Sequence, residues 1–78
     1  MLSIGQQLQS LRNQKGLTLK QVSSKTNIAI HLLKALENDQ YQSLPASTFT
    51  KGFITTYAKV VGLKPDKALA IFRRDFVI

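Results

Sequence analysis

Val22-Ser23-Ser24-Lys25-Thr26-Asn27-Ile28-Ala29-Ile30-His31-Leu32-Leu33-Lys34-Ala35-Leu36 is the stretch whose reading decides the fold. Two helices joined by a link as short as residues 26–28 must cross steeply. The first then needs a small residue where the second passes over it, and the turn needs a residue at ease with positive φ. Ser23 and Asn27 meet those demands, standing where alanine and glycine are commoner, and Asn tolerates the left-handed region better than most residues. Val22, Ile28, Leu33 and Leu36 supply apolar positions on both sides of the bend. That is the pattern of a helix-turn-helix.

The punctuation on either side agrees. Ser3 and Gln6 form a capping-box signature before Ile4, Leu8 and Leu11, which recur at helical spacing. Gly16 is placed to end that first helix, and Thr18 with Gln21 repeats the signature, so a second helix starts at once with Leu19, Val22 and Ser23 inward. The third helix closes at Glu37-Asn38-Asp39. A polar connection over residues 38–46, pinned by Tyr41, Leu44 and Pro45, leads to a longer helix opened by Ser47 or Thr48. Phe49, Phe53, Tyr57, Val60 and Val61 follow, and Gly62 ends it. Gly52 inside it is expected to admit the close approach of another helix backbone. Lys64-Pro65-Asp66 begins a fifth helix, with proline at its first position, an acid near its positive end, and Leu69 and Phe72 in the core. No alternating run reads as a strand. The expected class is all-α: a compact five-helix bundle containing a helix-turn-helix, as one domain over residues 1–75 with a tail at 76–78.

Composition narrows the function. Seventy-eight residues suffice for one core, and the absence of cysteine removes disulfides and thiolate zinc sites. No run reaches the roughly 18 apolar residues of a membrane span. Eleven Lys and Arg against four Asp and Glu give a net charge of +7. Residues 1–36 hold five of the bases and no acid. Such a field attracts polyanions: nucleic acid, an anionic membrane face or an acidic protein surface. The acids Glu37, Asp39, Asp66 and Asp75 form no arrangement with a base and a nucleophile, so no catalytic residue is assigned and the chain reads as non-enzymatic. His31, the single histidine, stands without cysteine or clustered acids, so no metal site and no cofactor is expected, and Glu37 is expected to bond Arg12 or nearby backbone.

The segment Gly5-Gln6-Gln7-Leu8-Gln9-Ser10-Leu11-Arg12 with Lys15-Gly16-Leu17-Thr18-Leu19 resembles the opening of Xre/Cro-like DNA-binding domains. Leu33-Lys34-Ala35-Leu36-Glu37, Tyr41, Leu44-Pro45-Ala46, Lys51-Gly52-Phe53-Ile54-Thr55-Thr56-Tyr57-Ala58 and Gly62-Leu63 resemble, more particularly, the RodZ cytoplasmic-domain family. The resemblance covers roughly residues 3–73. It implies a Cro/lambda-repressor-like bundle that is cytoplasmic, as the head of a single-pass inner-membrane protein whose transmembrane helix would lie beyond this chain. It also implies docking on MreB, the bacterial actin, through an aromatic pair on the fourth helix. The motif puts that pair on Phe53 and Tyr57, with Lys51 and Lys59 nearby.

Two binding surfaces therefore compete. The leading one is the fourth helix: aromatic anchors rimmed by cations suit an acidic filament. Phe49, Phe53, Tyr57 and Val60 also lie at core spacing, and Tyr57 is expected to be at least partly exposed because its hydroxyl wants a partner. The alternative is duplex DNA. Ala29, Ile30, His31, Lys34, Ala35 and Asn38 would form the outward positions of the third helix, with Thr18, Lys20, Gln21 and Lys25 around the start of the second as phosphate contacts. Two apolar residues and one histidine make a thin base-reading set, which favours weak, salt-sensitive binding. Lys64, Lys67, Arg73 and Arg74 near the C-terminus are a third set, suited to anionic lipid if a parent protein holds them near a membrane.

Overall fold

The computed structural model describes residues 2–75. The expected tail at residues 76–78, and Met1 at the other end of the expected domain, lie outside the described residues. Five α-helices follow in order, α1 (Ile4–Gln14), α2 (Leu19–Thr26), α3 (Ile30–Glu37), α4 (Ser47–Val61) and α5 (Pro65–Asp75), with a short 3-10 turn at Tyr41–Ser43 inside the polar connection. Both expected capping boxes form: Ser3 with Gln6, and Thr18 with Gln21, each accepting and donating across the first helical turn. Gly16 and Gly62 adopt positive φ at the ends of α1 and α4.

The bend is where the sequence places it. Asn27 takes φ 60° and ψ 22°, and its N–H donates to the Ser23 carbonyl. The Ser23 hydroxyl donates to the Ile28 carbonyl at 2.6 Å, so the small side chain at the crossing also ties the two helices together. Val22, Ile28, Leu33 and Leu36 are buried on the inner faces. They join Ile4 and Leu8 of α1, Ile54, Tyr57, Ala58 and Val61 of α4, and Ala68 and Phe72 of α5 in one core. The ring of Tyr41 meets that of Phe72 edge-on at 5.5 Å, which fastens the connection to the core.

The start of α1 is held by residues distant in sequence. Asp39 adopts φ 55° just after α3. Its carboxylate accepts from the Gly5 N–H at 3.1 Å, the Ser3 hydroxyl at 2.5 Å and the Tyr41 hydroxyl at 3.0 Å. Asp75, at the end of α5, accepts the Ile4 N–H at 2.8 Å. Two carboxylates thus satisfy amides that a helix start leaves without intrahelical partners, at the positive end of its dipole. Burial, then Asp39, raises the Tyr41 phenol above its ordinary pKa.

Gly5 permits this crossing. A Cβ at that position would lie 2.3 Å from the Leu36 carbonyl oxygen and 2.7 Å from that of Glu37, both backbone atoms that cannot swing aside. Gly5→Ala is therefore expected to lower the unfolding free energy by about 3 kcal/mol, the upper range for overpacking. Urea titration followed by circular dichroism measures it, and an unchanged midpoint would contradict the α1–α3 packing described here.

Candidate functional site

Two outward surfaces and one buried polar cluster between them account for the residues singled out in the sequence. The cluster fixes how α1, α3 and α4 present their other faces. The Arg12 guanidinium donates through Nε to Glu37 Oε2 at 2.7 Å and through Nη2 to Oε1 at 3.1 Å, a two-pronged pair. Its Nη1 donates to the Leu17 carbonyl at 2.9 Å, in the link before α2. The Tyr57 hydroxyl donates to the same Glu37 oxygen that Arg12 Nε occupies. The Arg12 and Glu37 side chains are only 12% and 4% exposed. Burial is the first cause that raises the Tyr57 phenol above its ordinary pKa, and the Glu37 carboxylate beside it is the second. The Arg12 guanidinium is raised mainly by its hydrogen bond to Glu37.

The expected Arg12–Glu37 contact is therefore present, and Tyr57 completes it. The expectation of an exposed Tyr57 is overturned: its side chain is fully buried, because its hydroxyl finds its partner inside, on Glu37, rather than in solvent. Tyr57 cannot itself offer a ring to a partner in this fold. It supports α4 from beneath.

The core stripe of α4 is rotated by one residue from the one the aromatics suggest. Thr50, Ile54, Tyr57, Ala58 and Val61 face inward, while Phe49 is 63% exposed and Phe53 is half-buried against the core edge. Thr50 can occupy an inner position because its hydroxyl donates to the Pro45 carbonyl at 3.2 Å. The run Ile54, Tyr57, Ala58, Val61, spaced at i, i+3, i+4 and i+7, is this stripe's own periodic signal, which the aromatics match equally well. The outer face carries Phe49, Lys51, Gly52, Thr56 and Lys59, all exposed, with Phe53, Thr55 and Val60 at its margins. The close helix approach expected at Gly52 is absent: a Cβ there would meet nothing within 4 Å. A mid-helix glycine costs about 0.5–1 kcal/mol relative to alanine, and no contact within the described residues offsets it.

The other surface is the helix-turn-helix. Ala29, Ile30, His31, Lys34 and Asn38 on and beside α3 are exposed, as are Thr18, Lys20, Gln21 and Lys25 on and before α2. Ala35 departs from its expected outward position and is buried, 4% exposed, at the side of α3 that packs inward. At the start of α2 the capping box already engages the Thr18 and Gln21 N–H groups. The Leu19 and Lys20 amides are those the helix frame leaves without an intrahelical acceptor. Lys25 also lies in the last turn of α2 and lines a shallow groove with Lys15, Leu17 and Val60. Cations at such helix ends favour the negative end of the dipole.

Charge is sorted between interior and surface. Glu37 is buried on Arg12, and Asp39 and Asp75 are partly buried on the start of α1. Asp66 is the only exposed acid among the described residues, whereas every Lys and Arg except Arg12 is exposed. Among the described residues no three of His, Cys, Asp or Glu stand together to hold a metal ion, and no helix is long and apolar enough to cross a membrane.

These features define a basic helix-turn-helix domain with a second exposed surface on α4. The chain matches the family of helix-turn-helix domains over residues 7–68 and belongs to that family. Within it the chain is RodZ-like. It is 36% identical over 61 residues to the cytoskeleton protein RodZ of Streptococcus pneumoniae (strain ATCC BAA-255 / R6), a match that covers 78% of this chain and 22% of that protein. The chain thus spans about a fifth of the length of that relative. Its fold is also that of YmfM from Staphylococcus aureus, a candidate DNA-binding membrane protein. The TM-score is 0.90 at 28% identity, over 97% of this chain and 93% of that one.

The buried cluster makes two predictions. Glu37→Ala leaves the Arg12 charge buried without its carboxylate, a loss of about 3–5 kcal/mol, and the variant is expected to be largely unfolded at 25 °C by circular dichroism. Alkaline pH should also unfold the domain. The phenols of Tyr41 and Tyr57 are raised in the folded state, so the unfolded chain releases those protons first. Their contribution is complete below the ordinary phenol pKa of 10.0 and is lost as pH rises beyond it. Urea midpoints at pH 8 and pH 11 measure the fall, which Tyr57→Phe should reduce; an equal fall in that variant would remove Tyr57 from the account.

Proposed function

We propose that this domain is a non-catalytic docking head that binds an MreB-like actin filament through the outer face of α4. The observation that carries the reading is the outer face of α4, which bears the exposed Phe49 and half-buried Phe53 together with the exposed Lys51 and Lys59, on a domain whose exposed acids among the described residues reduce to Asp66. Aromatic surface beside cations supplies both short-range affinity and steering toward an acidic surface. The kinship with a protein named as cytoskeletal supports the same direction. Tyr57 serves this surface indirectly, by fixing α4 on Glu37 and Arg12. In this reading the domain works in the cytoplasm, as the head of a membrane-anchored protein, with Lys64, Lys67, Arg73 and Arg74 on the side available to anionic lipid.

A second reading rests on a separate observation. Nine of the ten positions expected to touch DNA, from Thr18 to Asn38, are exposed, Ala35 being buried, and a relative of near-identical fold is a candidate DNA-binding protein. The apolar Ala29 and Ile30 at the leading turn of α3 support backbone-dominated binding rather than recognition of a defined operator.

Cosedimentation with purified MreB filaments separates the two. Wild type is expected in the pellet, with Phe53→Ala weakened about tenfold or more and Lys34→Ala unchanged. The docking reading fails if wild type stays in the supernatant, or if Phe53→Ala binds as wild type does. Duplex binding at 50 and 200 mM salt tests the rival: absence of any complex at low salt, or indifference to Lys34→Ala, removes it.

A further inference from the structure

We infer that the shallow groove between the link after α1, the end of α2 and the end of α4 docks an acidic peptide segment, one that carries an apolar side chain between carboxylates. The inference is independent of the docking reading above, which concerns the outer face of α4.

The groove is lined by Lys15, Leu17, Lys25 and Val60. Three helix ends meet there: Lys15 is the C-cap of α1, Lys25 lies in the last turn of α2, and Val60 lies in the last turn of α4. Leu17 and Val60 are half-buried and give an apolar floor, while both lysines are exposed. The floor is fixed from behind. The Leu17 N–H donates to the Arg12 carbonyl at 3.1 Å, and the Leu17 carbonyl accepts Arg12 Nη1 at 2.9 Å. The Lys15 side chain lies across the end of α4, its Nζ 3.7 Å from where a Cβ on Gly62 would stand. A surface already held in shape costs a partner little ordering.

No acid lines the groove, and among the described residues neither lysine is paired with a carboxylate. The negative ends of α1 and α2 help to place the two ammonium groups but carry only about half an elementary charge each, so much of the positive charge stays unanswered. Lysines alone suit any polyanion, and the floor discriminates among them. A phosphate backbone pairs with the ammonium groups and leaves Leu17 and Val60 uncovered. A second copy of the chain does not fit either: Asp66 is the single exposed acid among the described residues and cannot answer two lysines. A segment with an apolar side chain flanked by carboxylates meets every feature, covering Leu17 and Val60 while its acids reach Lys15 and Lys25.

Fluorescence anisotropy with two labelled peptide amides, Glu-Glu-Leu-Glu-Glu and Glu-Glu-Ser-Glu-Glu, tests both features at once. The leucine peptide is expected to bind about fivefold more tightly than the serine peptide. Lys15→Gln and Lys25→Gln are each expected to weaken both peptides about threefold. The shape-conserving Val60→Thr is expected to shrink the preference for leucine and leave the serine peptide unchanged. Removing the same charge elsewhere, in Lys64→Gln with Lys67→Gln, is expected to change binding by less than about twofold, since screening confines exposed charges to their neighbourhood. Circular dichroism checks that each variant is folded. Absence of peptide binding, equal affinity for the two peptides, or equal losses from the two lysine pairs overturns the proposal. Amide NMR shifts at residues 15–17, 25 and 60 locate the complex. If a duplex oligonucleotide moves those amides and the leucine peptide does not, the groove belongs to nucleic acid and the proposal falls.

Discussion

The buried contact of Arg12, Glu37 and Tyr57 is the constraint to which the other features refer. One carboxylate near the end of α3 receives two N–H groups of a guanidinium from α1 and a phenol from α4, while the third arm of that guanidinium holds the link before α2. Four segments are thereby placed by a single cluster. An ion pair so deeply buried offers little net stability compared with well-packed apolar groups, because desolvation offsets much of the attraction. Its effect here is geometric: the relative rotation of α1, α3 and α4 is set by directional bonds that tolerate little displacement.

That geometry separates two binding faces. With Tyr57 drawn inward, α4 turns its Thr50–Ile54–Tyr57–Val61 stripe to the core and leaves Phe49, Gly52 and Phe53 outside. With Glu37 drawn inward, α3 turns His31, Lys34 and Asn38 outward. Three of the four acids are used for internal structure, Glu37 on Arg12 and Asp39 and Asp75 on the start of α1, leaving Asp66 as the exposed acid among many exposed cations. A small domain with net charge +7 and most of its acids drawn inward carries a field that attracts polyanions before any specific recognition. What distinguishes the α4 face is the combination of that field with exposed aromatic surface, which supplies short-range affinity that charge alone does not.

Much of the architecture was legible in the residues because it depends on local rules. Capping boxes at Ser3 and Thr18, the left-handed turn at Asn27, glycine ends at Gly16 and Gly62, and proline at the first position of α5 are each decided within a few residues. The Arg12–Glu37 pair was legible only in part: the sequence left Glu37 to bond Arg12 or nearby backbone, and the fold selects Arg12. The face of α4 was not. Aromatics at 49, 53 and 57 and the alternative set at 50, 54, 57 and 58 both fit a helical period, and the bonds of Tyr57 to Glu37 and of the Thr50 hydroxyl to the Pro45 carbonyl decide between them. Nor does any local signal tell that Asp39 and Asp75 close the start of α1, for those bonds span 34 and 71 positions.

The sequence by itself determined the five helices, the sharp bend at Asn27, the basic character of the molecule and its membership of the helix-turn-helix family, because propensity, capping and charge are properties of residues and their near neighbours. Only the tertiary structure decided that Tyr57 is a strut and not an anchor, that Ala35 is inward and Phe49 outward, and that Gly52 faces open space while Gly5 faces a carbonyl. Those outcomes turn on rotations of a helix by about one residue, roughly 100° at 3.6 residues per turn. A periodic pattern leaves such a rotation ambiguous, and hydrogen bonds from distant segments fix it.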